Sequence, residues 1–97
     1  MTKVKTISRT ADKSCNCGSW LQHWENFCGS KAILCSSILC LEGQLVGAHV
    51  KKIYLTDSAQ YIIPLCQQHN QSENMIEISD NCILVSADPK ETCGKAK

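Results

Sequence analysis

Long apolar runs are missing from this sequence. The longest, AILCSSILCL at 32–41, is about half of the roughly 20 residues that a transmembrane helix needs. Residues 1–14, MTKVKTISRTADKS, carry charges and hydroxyls and no apolar h-region, so they do not read as a secretory signal. An excess of one charge is missing too: the net charge is +1, with both signs spread along the chain. Composition therefore makes no strong case for a nucleic-acid or membrane surface. The basic residues gather only locally, as Lys3, Lys5, Arg9 and Lys13, as Lys51 and Lys52, and as Lys90, Lys95 and Lys97. Such groups permit phosphate contact without predicting it. There is no internal repeat and no low-complexity linker, so residues 1–97 are read as one domain with flexible ends at 1–13 and 94–97. Aromatic residues make up 5% of the 97 positions, and a chain this short buries a modest core that often needs a staple.

What the sequence has instead is cysteine, eight in all. At this density cysteines form either a disulfide framework in a secreted protein or metal ligands in a reducing compartment. Without a secretory signal the second reading is preferred, and a cytoplasmic protein with reduced thiols is expected. Two pairs stand at metal spacing. Cys35-x4-Cys40 sets two thiolates on one turn of backbone, and Cys66-x2-His69 sets a thiolate and an imidazole on one face of a helical first turn. The 25 residues between the pairs are long enough to form a hairpin that returns the second pair to the first. Four soft or borderline donors match a closed tetrahedral Zn2+ site, and the default role of such a site is stability. A second zinc is read from weaker spacing: Cys15 and Cys17, with Cys93 and His23 completing the set if the termini meet. Cys28 and Cys82 are then left as unpaired thiols, without the basic neighbours that would mark a nucleophile.

The elements expected around these ligands are few. Ser19 followed by Gln22 reads as a capping box, and Trp20, Leu21, Trp24 and Phe27 share a face, which predicts a helix over about 19–28 stopped by Gly29-Ser30. Both tryptophans are expected to anchor it to the core. Extended segments are expected at 32–34 and 44–50, the second continuing into or pairing with 51–55. QYIIPLC is expected to be a strand ended by Pro64, and the polar stretch after Cys66 a short surface helix. MIEIS and CILVS read as a C-terminal β-hairpin. The fold class is a small zinc-stabilised α+β domain.

GAHV at 47–50 and YIIPLCQQHN at 61–70 resemble the HNH, or ββα-metal, endonuclease family in its zinc-stabilised treble-clef form. The resemblance covers about 35–70, roughly a third of the chain. It implies a treble-clef core, with Cys66 and His69 as structural zinc ligands. It further implies His49 as the general base that activates water for phosphodiester hydrolysis, and Asn70 as a residue of the catalytic cation site, occupied by Mg2+ or Mn2+ in an active member. Ala48 stands where active members commonly carry a metal-binding Asp or His, and Gln60 and Tyr61 stand where an Asn is usual. The preferred reading is therefore a treble-clef module that binds DNA or another protein without catalysis. The alternatives are an HNH-type nuclease and, from size alone, a regulator or inhibitor of another enzyme of the kind carried by phages and mobile elements.

Overall fold

The computed structural model describes residues 2–7, 19–53, 60–71, 75–79 and 81–87. In chain order the elements are β1 (Thr2–Thr6), α1 (Trp20–Cys28), β2 (Leu45–Lys52), β3 (Tyr61–Cys66), α2 (Gln67–Asn70), β4 (Ile76–Ile78) and β5 (Val85–Ser86). The strands form one antiparallel sheet in the order β4-β1-β2-β3-β5. The α+β class expected from sequence is what the described residues show.

Side-chain alternation divides the sheet into two faces. Val4, Ala48, Val50, Ile63, Leu65, Ile76 and Ile78 pack together on one, joined by Cys35 and Cys66. The opposite face carries Ile62 and Val85 under Trp24 of α1. Helix α1 begins as its sequence predicts: the Ser19 side chain accepts from the Gln22 amide at 3.1 Å, and Gly29 closes the helix in the left-handed conformation, φ 78°. The reciprocal half of the capping box is replaced, since the Gln22 side chain donates instead to Asn26 Oδ1 at 2.9 Å.

Four expectations need correction. Residues 2–6, expected to fray, form β1 between β2 and β4, with Val4 fully buried. The segment 32–34 joins no strand of the sheet, and Ile33 and Leu34 are exposed. The C-terminal hairpin does not form: β4 pairs with β1 and β5 with β3, at opposite ends of the sheet. Pro64 does not end its strand. It faces Gly47 in the β2–β3 register, and its carbonyl accepts from Ser36 N–H at 2.9 Å, outside that ladder. A residue's N–H and C=O point to the same side of a strand, so the proline's missing donor falls where β2 requires none.

The segment 36–38 also reaches the far edge of the sheet. Ile38 N–H donates to the Glu77 carbonyl at 2.9 Å, and Ser37 bridges to Ile78 of β4. One short strap thus joins β3 to β4, and closes β4, β1, β2 and β3 into a ring around the larger apolar cluster.

Candidate metal centre

The strap begins at Cys35. Its N–H donates to the Glu42 carbonyl at 2.9 Å and the Cys40 N–H to the Ser37 carbonyl at 3.1 Å, which folds 35–42 into a tight knuckle. At its tip Leu39 adopts φ 64° and is 95% exposed. The second pair arrives from β3, whose last residue, Cys66, lies opposite Leu45 and caps α2; His69 follows within that helix. The β2–β3 hairpin therefore performs the return that the spacing of the two pairs called for.

The four expected ligands come together. Cys35 Sγ, Cys40 Sγ, Cys66 Sγ and a ring nitrogen of His69 all lie within 4.8 Å of one another. His69 turns Nδ1 inward, 3.5 Å from Cys35 Sγ and 3.1 Å from Cys66 Sγ. Zinc–ligand lengths of about 2.3 Å to sulfur and 2.0–2.1 Å to nitrogen, at tetrahedral angles, require S···N edges of about 3.6 Å. The donors are close enough to hold a metal ion, and three sulfurs with one imidazole suit Zn2+. Cys35 and Cys66 are buried, while Cys40 and His69 are half-buried. The Cys66 N–H also donates to Cys35 Sγ at 3.3 Å, which helps to hold that sulfur in place.

The two buried sulfurs differ in acidity. Burial pushes the Cys35 thiol up to about 11; the Cys66 and Ser37 amides act to lower it, while the Cys40 and Cys66 side chains reinforce the rise. Burial also acts to raise Cys66, but the His69 amide directed at its sulfur, the neighbouring Cys35 and Cys40 side chains and the Gln68 amide outweigh it and bring that thiol below its usual range. Cys66 is thus the more acidic of the two buried thiols. A divalent ion replaces the protons and lets all three sulfurs carry charge.

No family model, curated protein or solved structure matches this chain.

Among the other singled-out residues, His49 lies on β2, 4% exposed, with its ring edge-on to Trp20 at 4.5 Å between centroids. It stands four residues from Leu45, about 13 Å of strand away from the metal end. Asn70 is the last residue of α2 and half-buried. His23 is fully buried, with Nε2 2.9 Å from the Ser86 carbonyl and its ring against Trp20 and Phe27. The other members of the second set, Cys15, Cys17 and Cys93, lie outside the described residues. Cys28 bonds with the backbone of Ser30, and burial raises the Cys82 thiol, which keeps it protonated and unreactive. Sequence reasoning missed the strap 36–38 and the glycine beneath α1. A Cβ at Gly47 would fall onto the backbone of Trp20 and Leu21, and only the packed helix reveals that constraint.

Proposed function

We propose that Cys35, Cys40, Cys66 and His69 hold one structural Zn2+, and that the chain is a zinc-stabilised, HNH-like treble-clef module that works by binding in the cytoplasm, without catalysis. The observation that carries this reading is the convergence of three sulfurs and one imidazole nitrogen within 4.8 Å. Four protein donors fill a tetrahedral zinc, which is the closed form of a structural site, whereas catalytic zinc keeps one position for water or substrate. The order β2, β3, α2, with the knuckle before it, supports the ββα reading. Placing the ion at the root of the strap gives it a structural task, because the strap that it fixes closes the ring around the core.

The nuclease alternative asks His49 to activate a water. A general base must come within hydrogen-bond reach of the proton it takes, and His49 is packed beneath Trp20. That burial favours the binding module. Incubation with supercoiled plasmid and Mg2+ or Mn2+ separates the two readings: no nicking is expected with either ion, and nicking that His49→Ala abolishes would overturn the non-catalytic reading. The zinc claim is tested by chelation. A strong chelator should remove the cooperative melting transition and added Zn2+ restore it, whereas a transition indifferent to both would contradict a structural metal.

A further inference from the structure

Two basic groups that lie far apart in sequence meet on one face of the sheet. Lys5 of β1 stands directly opposite Lys51 of β2, and Lys3 is two residues along β1 on the same face. Ile7 N–H donates to the His49 carbonyl and Ile53 N–H to the Lys3 carbonyl, one step of the ladder on either side of Lys5 and Lys51. These two are therefore a hydrogen-bonded pair, with Cα atoms about 5.5 Å apart. Lys3 and Lys5 are about 7 Å apart along their strand. The three Cα atoms therefore lie within about one Debye length of one another, 8–10 Å at ordinary ionic strength, so the fields of the three charges add. Lys5 and Lys51 are exposed and Lys3 is partly so; Glu77, opposite Lys3 on β4, offsets one charge.

Like charges directly across a strand pair destabilise a sheet, so folding does not account for Lys5 facing Lys51. An anion laid over the pair would turn that repulsion into attraction. We propose that this face of β1 and β2 binds the phosphate backbone of a nucleic-acid duplex. Lys3, Lys5, Lys51, Glu77, Ile7 and Ile53 supply no aromatic ring for base stacking and no Arg, Asn or Gln for base-edge readout. The contact is accordingly one of charge with phosphate, independent of sequence. The surface names a partner for the binding module, but it does not depend on the metal reading. Lys51 lies near one end of β2, and Leu45, opposite Cys66, is the other end.

The test is binding of the full chain to a fluorescent 20-base-pair DNA duplex, titrated across a range of salt concentrations. Each phosphate neutralised contributes about −0.9 to the slope of log K against log salt. A wild-type slope of about −2 to −3 is expected. The K3Q/K5Q/K51Q variant should lose at least tenfold in affinity at low salt and most of that slope, while Lys31→Gln, in the segment after α1 and outside the β1–β2 pairing, changes neither. Melting of the triple variant at or above the wild-type temperature is expected, since repulsion has been removed, and separates lost binding from lost folding. The proposal is overturned if wild type fails to bind the duplex at low salt up to about 100 µM, the weak end of non-specific association. It is equally overturned if the triple variant keeps the wild-type slope, or if polyglutamate of matched charge binds as tightly as the duplex.

Discussion

Gly47 is bare because α1 leaves no room for a side chain: a Cβ there would overlap the backbone at Trp20 and Leu21. A backbone neighbour cannot rotate away as a side-chain tip can. Gly47→Ala should therefore cost about 3 kcal/mol, the upper end for overpacking, and chemical denaturation would read it as a lower midpoint with an unchanged slope. A loss under about 0.5 kcal/mol would show that the helix shifts freely. Trp24 tests a second residue-scale contact. Its indole N–H donates to the Ile83 carbonyl at 2.8 Å and fastens α1 to the segment before β5. Trp24→Phe keeps most of the ring but leaves that carbonyl without its donor, which should cost about 1–3 kcal/mol. At this scale the sequence was most readable where chemistry is short-range. The Ser19 cap, the Gly29 stop and the four metal donors are local spacings whose meaning does not wait on the rest of the fold. The burial of His49 and the constraint at Gly47 were not readable, because each is imposed by Trp20 or Leu21, more than 25 residues away.

At the scale of elements, β1 is the clearest departure from expectation. TKVKT alternates, but it presents one apolar residue among lysines and threonines, and such a stretch has little reason to be a strand unless partners exist on both sides. They do: Val4 faces Lys52 on β2 and Ile76 on β4. A chain lacking residues 1–6 should consequently lose its cooperative transition in thermal circular dichroism, because β4 would lose its only strand partner among the described elements. A truncated chain that melts within a few degrees of the full one would contradict the placement of β1. Pairing accounts for the other misreading as well. MIEIS and CILVS are each strand-like and adjacent, which favours a hairpin locally, yet each finds a better-buried partner across the sheet. Local pattern encodes that a segment is extended, but not what it pairs with.

At the scale of the whole molecule, the metal pairs and the sheet are one construction. The knuckle that carries Cys35 and Cys40 is also the root of the strap at 36–38, which bonds β3 on one side and β4 on the other. Cys66 and His69 anchor that knuckle to the end of the β2–β3 hairpin. The candidate ligands could be read from sequence, and the ring beside them could not, since it depends on hydrogen bonds from irregular backbone. Losing one ligand should open the strap and expose the cluster around Val4, Ile63 and Ile78. Cys66→Ser should thus unfold the domain, while Cys28→Ser, outside the cluster, should melt close to wild type; equal melting of the two would argue against this ligand set. The central claim is tested most directly by native mass spectrometry of protein purified without chelator, comparing zinc content in wild type and in Cys66→Ser. At least one zinc per wild-type chain is expected, and one fewer in the variant. A wild type without zinc, or a variant that retains the full complement, would contradict it.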